Sequence, residues 1–514
     1  MSSPLFLALD QGTQSTRAVV FDGDGAEVAS AKVVIEPYVA PQPGWAEQDP
    51  QVYWRAIIEA CQALWAKGVD RSRLAGVALS CQRGTPVCMD AEGQPLRPAM
   101  VWLDLRRASV FPQLPLLYRV ASLIPPVGRI LQDVQEEAEC NWLAQHEPEL
   151  WARTERYGML SSWLTLQLTG RFADATASQV GYIPFDYKTQ KWADPSHFYW
   201  SALCVRPSQL PEIVPAGQQI GAITAAAAAA TGLPEGLPFF SAGSDKSCEA
   251  LGAGVVSETV GSLSYGTTAT FNMISKRYLE VIPLLPAFPA AVPGAWGVER
   301  QVLRGFWMVE WFKREFGHRE VAEAAQSGVA AERQFERFLA DTPPGNDGLI
   351  LQPHWSPAIR ITGPEAKGAM IGWGAMHGRA HMYRAIVEGI AYALREAREH
   401  LERRTGSTIH TLRATGGGAN SDGVMQITAD IFGLPVERPK VLEASCLGAA
   451  INVAVGAGVY PDHARAAERM VQLGHRFEPN PAASATCDAL YREVYAPMYG
   501  RLLPLYRNIR RILG

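Results

Sequence analysis

Two hydrophobic periods alternate along this 514-residue chain, and the switches between them mark its organisation. Residues 5–35 read as three successive strands. The apolar runs Leu5–Leu9 and Ala18–Phe21 flank a Gly12-Thr13 turn, and Asp22-Gly23-Asp24-Gly25 forms the next turn. An amphipathic stretch from Pro50 to Trp65 follows, and then a buried strand at Leu74–Ser80. Residues 109–140 contain Pro112, Pro115, Pro125, Pro126 and Gly128, which predict an irregular insertion rather than a core element. Ala222–Ala230 predicts a helix ended by Thr231-Gly232, and Pro238–Ala242 a strand ending at Gly243-Ser244-Asp245. From Gly261 the strand–turn–strand pattern restarts around Gly266-Thr267. The stripe Ile386, Ile390, Leu394, Ala397 and Leu401 predicts a long amphipathic helix over His381–Arg404. Leu412–Thr415 then reads as a strand, Gly416-Gly417-Gly418 as a turn, and Asp422–Phe432 as a helix capped by Gly433. The segment after about residue 461 reads as mostly helical.

Matching Gly-Thr hairpins in the two halves predict a duplicated domain, with a boundary near residues 246–256. Each hairpin tip offers backbone N–H groups and hydroxyls, a donor set suited to anionic oxygens. Phosphate gripped in a cleft between two such domains is the expectation, and it points to a nucleotide-dependent phosphotransferase.

Composition narrows the field. The length calls for about two to four domains, and 47% hydrophobic with 19% charged residues is globular. A net charge of −4 argues against nucleic acid or an anionic membrane as partner. No apolar stretch reaches the roughly 18 residues of a membrane span; Leu447–Val459 is shorter and contains Asn452. The N-terminal apolar run ends at Asp10 and lacks a basic region and cleavage site, so no signal peptide is expected. Eight cysteines without a C-x-x-C pair read as thiols of a reducing compartment, and a cytoplasmic protein is expected.

Four places could carry chemistry. Asp10 ends the first strand beside the Gly-Thr turn, where a carboxylate suits Mg²⁺ held against phosphate oxygens; the plain alternative is a turn stabiliser. Asp245 follows a strand end and suits a base that accepts a hydroxyl proton; the alternative is a helix N-cap. Gly416-Gly417-Gly418 would let a flat ligand or phosphate approach the backbone, or is an ordinary tight turn. Arg83, Trp102, Asp104 and Arg106 combine charged hydrogen-bonders with an aromatic face, as a polyhydroxylated substrate needs, or form a solvated face beside a core tryptophan. Neither a P-loop nor a dinucleotide fingerprint occurs, and the histidines read as structural.

Together these motifs resemble the FGGY family of carbohydrate kinases, in family order over essentially the whole chain. The matching segments are Asp10–Arg17, Gly44–Pro50, Ser80–Thr85 with Pro98–Arg106, Gly243-Ser244-Asp245, Gly266-Thr267, Gly368–Glu388, and Gly416–Asn420 with Gln426, Ala429-Asp430 and Gly433–Pro435. The resemblance implies an α/β fold of two ribonuclease-H-like, actin- or hexokinase-like domains with a catalytic cleft. Residues 1–246 would bind the sugar and 247–460 the nucleotide, with 461–514 a helical extension. It implies ATP and Mg²⁺, with Asp245 as catalytic base and Asp10 near the metal. Thr13, Gln14, Arg17, Gly266, Thr267, Gly305, Gly416, Gly417, Gly418 and Asn420 would contact the nucleotide. Gln82, Arg83, Trp102, Asp104, Asp245 and Lys246 would contact a small sugar or polyol. A homodimer stays open.

The departures bear on substrate. Glycerol kinases resemble this chain at Gln82-Arg83 but carry glutamate where Gly84 stands, and glutamine where Lys246 stands. The Met-His typical of xylulokinases at positions 82–83 is absent. Another ketose or polyol is expected, with xylulokinase- or glycerol-kinase-like specificity as the alternative; an actin- or Hsp70-like ATPase without a sugar site and a non-catalytic sugar sensor are the rivals. Lys246 would favour the ionised form of Asp245 or contact an acidic substrate group.

Overall fold

The computed structural model describes residues 3–281, 285–328, 331–356 and 363–513. β1 (Leu5–Gln11), β2 (Ser15–Phe21) and β3 (Glu27–Val34) form an antiparallel meander. β4 (Leu74–Cys81) pairs parallel with β1, β5 (Gln219–Ala222) closes one edge, and β6 (Pro238–Ser244) lies parallel to β4. The order is β5–β6–β4–β1–β2–β3. Every residue of β1 is buried, which is why Leu5–Leu9 is an unbroken apolar run rather than an alternating one.

A second sheet repeats the plan. β7 (Val260–Tyr265) and β8 (Ala269–Ser275) form the hairpin, and β9 (Trp296–Val302) lies beside β8. β10 (Thr411–Thr415) is parallel to β7 and β11 (Val436–Pro439) parallel to β10, with β12 (Leu473–Phe477) antiparallel at the end. The order β9–β8–β7–β10–β11 has the connectivity of β3–β2–β1–β4–β6. The duplicated α/β architecture expected from the two hairpins is therefore present.

Helices cover the sheets where the periodicity placed them. α1 (Pro50–Trp65) starts from an Asp49 cap and buries Tyr53, Ile57, Ala60 and Leu64. α2 (Asp245–Gly252) follows β6, and α3 (Trp307–Phe316) follows β9. α4 (Arg379–Thr405) carries the long stripe, α5 (Asp422–Phe432) follows the triple glycine, and α6 (Ala444–Gly456) ends the repeat. Ten of the thirteen residues of α6 are buried, so its apolar character all round reflects a core helix. Gly448 makes this close packing feasible: a Cβ there would lie 1.9 Å from the Cys248 carbonyl oxygen of α2.

Two expectations need correction. The 109–140 segment is not irregular, since helices form at Leu116–Ala121 and Pro125–Glu137. Pro125 occupies the first helical turn, where the missing N–H costs nothing, so it starts the helix instead of breaking it. Ala222 ends β5, and the alanine helix spans Ala225–Thr231 behind a Thr224 cap. The compact units are discontinuous. One comprises Met1–Val256, Lys276–Gly297 and Glu443–Gln472; the other comprises Ser257–Ser275, Val298–Leu442 and Leu473–Gly514. Cuts at 246/247 and 460/461 do not follow these units, because α6 packs its buried faces on β1, β4 and α2.

Candidate active site

In the first unit, β1 and β2 are joined by the three-residue loop Gly12-Thr13-Gln14, closed by Gly12 N–H donating to the Ser15 carbonyl at 3.0 Å. Gln14 is exposed, and its carbonyl accepts from Ile35 N–H at 2.9 Å. The Thr13 hydroxyl donates to Gln82 Oε1 and accepts from Trp102 Nε1 at 2.9 Å. Gln82 is buried, so it holds the loop from beneath. Trp102, 55% exposed, ties the loop to the segment after Met100 and keeps an open aromatic face.

Register places Arg17 directly opposite Asp10. One guanidinium nitrogen lies 3.4 Å from Asp10 Oδ2, and Nε lies 3.1 Å from Glu443 Oε2. Asp10 is buried, and its Oδ1 lacks a hydrogen bond of proper geometry, as does the neighbouring Ser80 hydroxyl. Burial above all, and then the Asp245 carboxylate, push Asp10 up to about 6 against the pull of Arg17 and Ser80. Among the described residues no group of three or more His, Cys, Asp or Glu is arranged to hold a metal. The unpartnered Oδ1 nevertheless fits a cation that keeps its own waters and takes its other ligands from phosphate.

Asp245 opens α2. The helix cap is Ser244, whose hydroxyl accepts from Ser247 N–H, so the capping alternative for Asp245 is filled by its neighbour. Asp245 Oδ1 accepts from Lys246 N–H at 2.7 Å, and Oδ2 has no protein donor among the described residues. Burial raises the Asp245 pKa, while Arg83 and then Lys246 oppose the rise. Arg83 also lies over the Phe288 ring at 5.5 Å. Lys246 Nζ pairs with Glu249 Oε2 at 2.7 Å, so its charge is shared along α2. Gly84 has φ +65°, a conformation in which a glutamate would be strained.

Asp104 departs from its expected role. Its Oδ1 accepts from the Arg106 N–H and Nε, and its Oδ2 from Ala46 N–H and Arg106 Nη2, at 2.7–2.9 Å. These four bonds fill the acceptor capacity of a carboxylate, so no site for a substrate hydroxyl is left. Arg106 is stacked 4.1 Å from Trp45 and 4.5 Å from Trp142 and paired with Glu47 at 2.7 Å. Asp104 therefore anchors the Trp102 segment.

The second unit builds the matching loop from Gly266-Thr267-Thr268. The carbonyls of Gly266 and Thr267 accept from Phe306 and Trp307 N–H at 3.0 and 3.4 Å, which fixes the loop against the start of α3. Gly305 is needed by packing, since a Cβ there would sit 2.4 Å from Ala269 N. The three glycines after β10 divide by cause. Gly416 has φ +82°, and a Cβ at Gly418 would meet the Phe306 ring at 2.3 Å. A Cβ at Gly417 would meet nothing within 4 Å, so only Gly417 is left for a ligand to require. Gly417 and Asn420 are exposed on the turn preceding α5.

The pattern of residues missed Glu443 and Ser445. Ser445 Oγ lies 3.3 Å from the Asp245 carbonyl oxygen. Glu443 stands 426 positions from Arg17 and Ser445 stands 200 from Asp245, and nothing local marks them.

Models of the FGGY family of carbohydrate kinases match the chain twice, the N-terminal domain over residues 5–252 and the C-terminal domain over 261–457. The chain is 28% identical over 501 residues to the uncharacterized sugar kinase YgcE of Escherichia coli, spanning 96% of this chain and 93% of that one. It is 29% identical over 498 residues to a glycerol kinase of Dechloromonas aromatica, spanning 94% of each. The solved structure of xylulose kinase from Rhodospirillum rubrum matches with a TM-score of 0.81 at 25% identity, over 98% of this chain and 100% of that one.

Proposed function

The chain belongs to the FGGY family of carbohydrate kinases, phosphotransferases with an alcohol group as acceptor, and from that premise we propose that it transfers the γ-phosphate of ATP to a ketose or polyol larger than glycerol. The observation that carries this reading is Asp245. One carboxylate oxygen is held by its own helix N–H, the other has no protein donor among the described residues, and burial raises its proton affinity. A carboxylate so placed accepts the proton of an attacking hydroxyl, and Arg83 opposes the rise in its pKa that burial causes. Trp102 offers an aromatic face to the carbon skeleton.

In the second unit the nucleotide would lie along Gly417 and Asn420, with its phosphates at the Gly266-Thr267 loop, and in the first unit the Gly12-Thr13 loop offers a like set of donors to phosphate oxygens. Asp10 would hold Mg²⁺ through its unpartnered oxygen, mostly by way of water. Mg²⁺ bound there would neutralise charge on the phosphate oxygens.

A coupled ADP-release assay over glycerol, pentitols, pentuloses and hexuloses tests the proposal. ADP release stimulated by at least one five- or six-carbon acceptor, and weakly by glycerol, is expected. An ATPase rate indifferent to every acceptor would overturn it.

A further inference from the structure

The Asp10–Arg17 contact is longer and poorer than its register allows. Arg17 stands directly across the hairpin from Asp10, where an arginine ordinarily forms a two-bond fork with a carboxylate. Here it makes one contact at 3.4 Å. Its Nε turns instead to Glu443 Oε2 at 3.1 Å, an ion pair whose alignment falls short of a hydrogen bond. The guanidinium is divided between two acids, and Asp10 Oδ1 makes no hydrogen bond of proper geometry, with the Ser80 hydroxyl as its neighbour.

Resting on the function proposed above, we infer that Glu443 is a positioning residue for the metal–nucleotide site. By holding Arg17 back, Glu443 keeps Asp10 from being neutralised and keeps its free oxygen open to a hydrated cation. The fold fixes Glu443 in place. It is the residue before α6, whose body is buried in the first unit, and Ser445 in the first turn of α6 reaches the Asp245 carbonyl. One helix start thus touches the surroundings of both acids.

The test is binding of ADP to the intact protein by calorimetry, with Mg²⁺ and with EDTA. Glu443→Gln should weaken Mg²⁺-dependent ADP binding about tenfold or more, the usual effect of removing an outer-shell partner of a metal site. It should leave metal-free ADP binding and the acceptor KM unchanged. Glu443→Asp should recover most of the loss. In an Arg17→Met background, Glu443→Gln should have little further effect, because no guanidinium remains to collapse onto Asp10. Equal weakening with and without Mg²⁺, or a full effect in the Arg17→Met background, would reduce Glu443 to a structural role and overturn the inference. A wild-type chain that phosphorylates no acceptor would instead strike the underlying function and leave the calorimetric result standing.

Discussion

Replacing Asp245 with asparagine removes the acceptor for a hydroxyl proton but keeps the side chain's size and its contact with the Lys246 N–H. Turnover should fall by about 10²–10⁴-fold, while ADP affinity, measured by calorimetry, stays near wild type. A variant retaining more than about a tenth of the activity would remove Asp245 from the role of base. The same residue sets a pH dependence. Burial raises its pKa above the ordinary aspartate value of 3.8, and the ionised form is the active one. The acid limb of kcat/KM should therefore begin above that value, with activity lost as pH falls through the raised pKa, and Asp245→Glu should move the limb. On the nucleotide side, Gly417→Val should fold, since a Cβ there meets no protein atom. It should raise the KM for ATP with little change in that for the acceptor. Asp10, Thr13, Asp245 and the triple glycine stand at or beside a strand end, where local pattern alone marks them as candidates. Asp104 was misread. An Asp beside Trp and Arg looks the same in sequence whether the arginine reaches outward or, like Arg106, folds back and saturates it.

At the scale of elements, α2 and α6 pack backbone against backbone. Gly448→Ala would drive a methyl to 1.9 Å from the Cys248 carbonyl and force apart the helices that carry Asp245 and follow Glu443. A loss of about 1–3 kcal/mol, typical of overpacking, is expected by urea denaturation, with a fall in kcat larger than stability alone explains. His463 links α6 to the helix His463–Met470 through Nε2 and Asn452 Oδ1 at 2.9 Å. Burial lowers its pKa from 6.5 to about 4. The unfolded chain thus binds a proton over this range that the native state refuses, so stability is complete above pH 6.5 and declines as pH falls toward 4. The contribution is about 3 kcal/mol, and His463→Gln should flatten that part of a pH–stability curve. The helices of 109–140 show the limit of local signals, because a proline reads as a breaker until its position in the first turn is known.

For the whole molecule, the first unit borrows Lys276–Gly297 and Glu443–Gln472 from later in the chain. A fragment ending at Val256 would leave the apolar surface under α6 uncovered on β1 and β4, and it should lack a cooperative thermal transition by circular dichroism; supplying residues 443–472 on a linker should restore one. The sequence by itself determined the duplicated hairpins, the helices between them and the order of motifs that place the chain in its family. Those features depend on near-neighbour periodicity and turn chemistry, which a linear pattern carries in full. Only the tertiary structure decided that Glu443 shares Arg17 with Asp10, that Asp104 is saturated, and that an all-apolar run near the C-terminal end is the core helix of the first unit. Each of these depends on which distant segments meet, and side chains that meet across hundreds of residues leave no local spacing to read.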